Sequence, residues 1–392
     1  MKKIFPLAKQ FVDETNKLLL FLITAASVFG ILMVHSTTRF QLEDGQTIFR
    51  DAVVMIVAAI AGIIIALIIS AIDYELVTKL WPIIGVVCIV LMIITLIFGA
   101  APEARPDSKC WLKFGSVYFQ TSELVKIGYV ITFSMHLELI KDKINDFKSL
   151  LLLGVHAVIP TGLVVLTGDM GSALVFIFIT IAMLYFAGLH IGFFAAGGIL
   201  ALAASPLVWM FVFSEYQRTR FLALFRPEEF VDEAYQQLKG LNALGSGGFF
   251  GQGIFKGVYT QNGIIPEQEN DMIFTAIGEE TGFFGCIVAL LLLFLICLEM
   301  IKIGKNTREF STQMICYGMA SIIAAQVIIN VGMVLMLLPV IGITLPFFSA
   351  GGSSTLCLYI GVGLVFSIYR FNRSREVVNF RLSGIASPFR VL

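Results

Sequence analysis

Ten stretches of this chain, each about the length of a membrane crossing and nearly free of charge, dictate most of what it can fold into. They lie near 18–34, 52–72, 80–99, 122–139, 150–167, 171–188, 191–213, 272–301, 312–338 and 353–370. About twenty apolar residues, coiled at ~1.5 Å each, cover roughly 30 Å of hydrocarbon. Lipid offers the backbone no hydrogen-bond partners, so such segments must satisfy their own amides and carbonyls as helices. The expected fold is an all-α polytopic membrane protein of about ten transmembrane helices. Its 14% charged residues, against roughly 25% in soluble domains, agree with this, and a net charge of zero gives nucleic acid nothing to bind. The polar opening stretch "MKKIFPLAKQFVDETNK" is unlike a cleaved leader, so the first run reads as a retained span.

An even number of spans puts both termini on one side. Sixteen Lys and Arg fall on that side, whereas the opposite short loops hold five: Arg39, Arg50, Arg105, Lys109 and Lys113. Positive charge accumulates on the cytoplasmic face. Both termini are therefore expected in the cytoplasm, with 35–51, 100–121, 214–271 and 339–352 outside. The chain 1–392 reads as one membrane domain, with 214–271 as a large extracellular loop between helices 7 and 8. That loop is rich in aromatics and contains "GSGGFFGQGIFKG", six glycines in thirteen residues. Neither glycine pattern of a nucleotide site is present, which leaves two readings open: tight turns, or backbone brought close to a ligand.

Four of six cysteines lie in apolar runs, without metal spacing or a disulfide framework. The four histidines are scattered, which favours packing or interfacial roles. Glu123 and Lys126 sit three apart in the fourth span, where they share a helix face. Charges at such a place usually face a protein interior or aqueous cavity; the plainer alternative is a helix-start carboxylate with a snorkelling lysine.

Five carboxylates crowd "IIPEQENDMIFTAIGEETGFFG": Glu267, Glu269, Asp271, Glu279 and Glu280. Glu279 and Glu280 fall ~12–13 Å into the eighth span at 1.5 Å per residue, a costly depth for an unpaired carboxylate. Asp271 at the mouth is either functional or a water-facing cap. "LLPVIGITLPFFSAGGSS", uncharged and broken by two prolines, reads as a re-entrant loop between helices 9 and 10. Ser353 or Ser354 there would cap the last helix.

Six motifs in order carry a resemblance over nearly the whole chain: "WLKFGSVYFQTSELVK", "GDMGSALV", "YQRTRFLALFRP", "NALGSGGFFGQG", "PEQENDMIFTAIGEETG" and "NVGMVLMLLPVIGITLPFFSAGGSS". They resemble the shape, elongation, division and sporulation (SEDS) family of peptidoglycan polymerases, which includes RodA, FtsW and SpoVE. Thr121, Ser172, Asn270 and Ala350 depart from the residues usual there, and none of them removes an ionisable group.

The resemblance implies a glycosyltransferase of the bacterial cell membrane that joins lipid II units into glycan strands and releases undecaprenyl pyrophosphate. Asp271 falls on the family's catalytic aspartate and would act as general base. Lys126, Arg218 and Arg220 are the cations that would meet the departing pyrophosphate, with Mg²⁺ or another divalent cation as an added expectation. Glu123, Glu267 and Ser349 complete the expected substrate-binding set, and a cleft open to lipid should admit the isoprenoid chains. The implied partner is a class B penicillin-binding protein, a transpeptidase. Chain length favours a RodA-like role. The competing functions are a lipid II flippase, which intramembrane charges and a broken segment also suit, and a non-catalytic scaffold for a transpeptidase.

Overall fold

The computed structural model of the chain describes residues 15–42, 48–101, 108–115 and 117–385, apart from the side chains of 117 and 374–385. Lys2, Lys3, Lys9, Arg105 and Arg390, which enter the charge count, lie outside the described residues.

The architecture is helical. The elements are α1 (Lys17–Thr38), α2 (Arg50–Ser70), α3 (Tyr74–Lys79), α4 (Trp81–Phe98), α5 (Thr121–Ile140), α6 (Phe147–Leu166), α7 (Met170–Phe186), α8 (Ile191–Phe211), α9 (Glu215–Ala223), α10 (Val231–Ser246), α11 (Val258–Gln261), α12 (Ile273–Lys305), α13 (Phe310–Val334) and α14 (Gly352–Ile385). Among the described residues, eight helices are long and apolar enough to cross a membrane. The two other expected runs are also helical: α7 is apolar but short, and α5 carries the charges of Glu123 and Lys126. One departure from an all-α reading precedes α5, where β1 (Trp111–Phe114) pairs antiparallel with β2 (Val117–Gln120), Trp111 opposite Gln120. Alternating aromatic and polar residues with Gly115 at positive φ suit such a hairpin.

Helix α13 forms the centre, packed on α12, α7 and α5, while α14 lies along α2. Small residues set that last approach: a side chain on Gly62 would strike the Tyr359 ring, and one on Gly363 would strike the Ala66 backbone. Close backbones replace the hydrophobic drive that lipid does not supply. By contrast, α8 has no buried residue.

The segment 214–271 is built rather than slack. Ser214 and Gln217 form a capping box that starts α9, and α10 lays its apolar face on α12. Two irregularities then position the site. Gly282 at φ 72° breaks α12, and the freed groups pair with the glycine-dense loop: Phe283 N–H to Gly248 C=O at 2.9 Å, Phe284 N–H to Phe249 C=O at 3.0 Å, Gln252 N–H to Glu279 C=O at 2.9 Å and Gly253 N–H to Glu280 C=O at 3.0 Å. Added side chains at Gly247 or Gly251 would run into the Gly278 or Glu280 carbonyl. Close packing on a broken helix thus explains these glycines. The second irregularity is the segment 335–351, which has no regular helix yet buries Phe347 and Phe348, the former's carbonyl against Gly30 of α1. Neither Ser353 nor Ser354 precedes α14 as a cap; both lie inside its first turn, and Ser354 Oγ donates back to Gly351 C=O.

Candidate active site

Asp271 stands immediately before α12 and is 2% exposed, so it is no water-facing cap; the helix is preceded by Met272. Its position is held through the backbone. Asn330 of α13 donates one amide proton to Asp271 C=O at 2.8 Å and another to Ile343 C=O at 2.7 Å. Ser349 Oγ donates to Asn270 C=O at 2.6 Å and accepts from Leu345 N–H at 2.7 Å. Ala350 N–H reaches Glu269 C=O at 2.8 Å. The loop entering α12 and the segment 343–350 are therefore sewn into one unit. Ser349 is one of its stitches, so its hydroxyl is engaged in structure.

Around Asp271 gather further carboxylates. Glu267, in left-handed backbone at φ 54°, accepts from Asn270 Nδ2 at 2.6 Å. Burial pushes the Glu269 carboxyl up to about 7, and the charges of Glu267, Asp51 and Asp271 push it the same way.

Glu279 and Glu280 have a different occupation. Glu279 accepts from Tyr259 N–H at 2.8 Å, Thr260 N–H at 2.9 Å and Thr260 Oγ1 at 2.7 Å. Glu280 accepts from Ser36 Oγ at 2.6 Å and Gln261 Nε2 at 2.8 Å. Both are almost fully buried, their charge met by hydrogen bonds from the external loop and α1.

The expected cations part company. Lys126, 0% exposed, pairs with Glu123 at 2.8 Å in the core, where both act on Cys357 of α14. Arg220 stacks on Tyr216, 4.3 Å from its ring centre, and donates to Val340 C=O at 2.8 Å. Arg218 turns back to Met210 C=O at the end of α8. Only Arg220 of the three borders the large cleft, a cavity of about 780 Å³ between α6, α7, α8, α9 and residues 338–341. Its walls are apolar, with Asp169, Gln217 and Arg220 among its lining.

Sequence reasoning missed several residues. Asp169 caps α7 through Ser172 N–H at 3.0 Å and accepts from Gln120 at 2.8 Å and Ser122 at 3.0 Å, tying α7 to the head of α5. An aspartate between two apolar runs and three residues before a serine is a cap signal that could have marked it. Gln237 of α10 donates to Met333 C=O at 2.6 Å and Leu338 C=O at 2.8 Å. Two of the scattered histidines also meet: His136 and His156 lie Nδ1 to Nδ1 at 3.0 Å across α5 and α6.

Residues 16–374 match the profile of the FtsW, RodA and SpoVE family, described as a cell cycle protein. The chain belongs to this family. Relatives include the probable peptidoglycan glycosyltransferase FtsW of Trichlorobacter lovleyi, 30% identical over 94% of this chain and 95% of that protein. Stage V sporulation protein E of Bacillus subtilis is 30% identical over 91% and 97%. Peptidoglycan glycosyltransferase MrdB of Escherichia coli is 29% identical over 79% and 82%. Such even identities do not favour a RodA-like role over the others. The fold is that of a chain from a peptidoglycan synthase complex that coordinates polymerization and crosslinking (TM-score 0.75, 24% identity, covering 91% of this chain and 98% of that one). It is also that of the rod shape determining protein RodA of Thermus thermophilus (TM-score 0.65, 22% identity, 91% and 97%).

Proposed function

We propose that this family member is a peptidoglycan glycosyltransferase that polymerises lipid II. The observation that carries the proposal is a buried carboxylate, Asp271, fixed by a backbone bracket where the external loop meets the membrane span. The names of the relatives over nearly the whole chain support it. In this reading Asp271 takes the proton of the acceptor sugar hydroxyl as its oxygen bonds to the anomeric carbon. The bond from that carbon to the diphosphate breaks with its electron pair, and the isoprenoid diphosphate leaves. Arg220, at the edge of the apolar cleft, meets its charge, and the cleft seats an isoprenoid chain. The Glu123–Lys126 pair keeps the core beneath the site ordered. Among the described residues no three His, Cys, Asp or Glu side chains converge to hold a metal, so no step is assigned to Mg²⁺.

The direct test follows labelled lipid II with purified protein in vesicles, with and without a class B transpeptidase, the partner this reading implies. Elongated glycan strands are expected; lipid II that is translocated but never joined would establish a flippase instead. Arg220→Ala should slow polymerisation by about tenfold to a hundredfold, as for loss of one transition-state cation contact, while Arg218→Ala should change it little. Equal losses for both would refute the assignment.

The reading also requires the loop 214–271 on the outer face with both termini cytoplasmic, as the charge bias implies. Single cysteines placed at 228–233 should react with an impermeant maleimide added outside intact cells. Labelling only after the inner face is opened would reverse the orientation.

A further inference from the structure

Asp271 is buried, so a proton it collects cannot pass straight to bulk water. The ionisable groups that act on Glu269 are Glu267 and Asp271 of its own loop and Asp51 at the start of α2, beside Arg50. Exposure rises along this set, from buried Asp271 through partly buried Glu269 and Asp51 to exposed Glu267. The segment 343–351 against which the loop is sewn holds no ionisable side chain. Charged groups of the other neighbouring elements are engaged elsewhere: His35 and Arg39 of α1 face the Phe255 ring, and Lys239 of α10 lies over Tyr235.

We propose that Glu269 is a proton relay: it takes the proton from Asp271 after each glycosyl transfer and hands it to solvent on the Glu267 and Asp51 side. This rests on Asp271 being the general base. The hydroxyl proton arrives on the Asp271 carboxylate as the glycosidic bond forms and the diphosphate departs. It then moves to ionised Glu269 and on to water, which returns both carboxylates to their starting charge. A carboxyl titrating near neutrality suits the transfer in both directions, since it must be ionised to accept and must release readily. The sign follows: below about 7 Glu269 already carries a proton and turnover is held back, and above it the relay is open.

The test is the pH profile of polymerisation by the full chain with its transpeptidase, for the parent, Glu269→Gln, Glu269→Asp and Asp271→Asn. The parent's kcat should rise through a limb near pH 7. Glu269→Gln should lower kcat by about tenfold or more, the lower side of proton-transfer contributions, leave KM nearly unchanged and lose that limb. Glu269→Asp should keep a limb at shifted pH, which a merely structural role would not produce. A Glu269→Gln profile identical to the parent's overturns the relay; if that variant does not fold, an unshifted limb in Glu269→Asp does so. Infrared titration gives a readout independent of turnover, since a carboxylic acid band that disappears near pH 7 should be missing in Glu269→Gln. Should Asp271→Asn polymerise at the parent rate, the general-base reading fails first. Should it be inactive while Glu269→Gln is unaffected, the base stands and the relay falls.

Discussion

Asp271→Asn is expected to reduce glycan polymerisation by roughly 10²–10⁴-fold, the range for loss of a positioned general base, while the protein remains folded and inserted. The expectation of intact folding is specific to this site. What holds Asp271 in place is its carbonyl, bonded to Asn330, together with Ser349 on the neighbouring Asn270 carbonyl, and none of these contacts uses the carboxylate. Asparagine keeps the side chain's size and loses the charge and the basic lone pair. Steady-state polymerisation of labelled lipid II, beside a melting curve of the purified variant, measures both halves. A folded variant with near-parent activity would rule out the base role. A scaffold would instead tolerate the change in growth complementation, and a flippase would show its defect in translocation.

The second large effect falls on structure. Glu279→Ala should destabilise the folded chain by about 3–5 kcal/mol, the scale for removing one partner of a buried charged network. Three donors on Tyr259 and Thr260 lose their acceptor at once, and a buried donor left unpaired costs about 1–3 kcal/mol. Glu279→Gln should recover little, because its amide N–H₂ would point at donors where a carboxylate oxygen accepts. Denaturant unfolding in detergent gives the size. Proteolysis at Lys256, in the loop these bonds hold down, should accelerate in parallel. Unchanged stability in both variants would show that the loop is held by other means.

The contrast between these two carboxylates shows where sequence was informative and where it stopped. The helices were legible because hydropathy is a local property: a run such as 52–72 needs no knowledge of its neighbours. The importance of the 264–285 stretch was legible because five carboxylates at a membrane boundary are costly. Their division of labour was not, since Glu279 differs from Asp271 only in meeting amide donors twenty residues back along the chain. Gly282 lies in an apolar run where a break leaves no local mark, and its effect depends on Gly248 and Phe249 arriving to take up the freed amides. Lys126 was legible as a buried charge, and the ion pair with Glu123 follows from their spacing. That Arg218 turns away from the cleft while Arg220 borders it could not be read from two residues on one short helix.

The broken helix also determines what can be exchanged between relatives. Backbone bonds run both ways between 248–253 and 279–284, and the glycines that permit them stand on both sides of the contact. The external loop is consequently no detachable cassette. A chimera that imports residues 247–261 from another family member without its matching turn around Gly282 should lose its seat, and one that carries both pieces together should keep it. The transplantable unit is discontinuous in sequence, made of two short segments that have to travel as a pair.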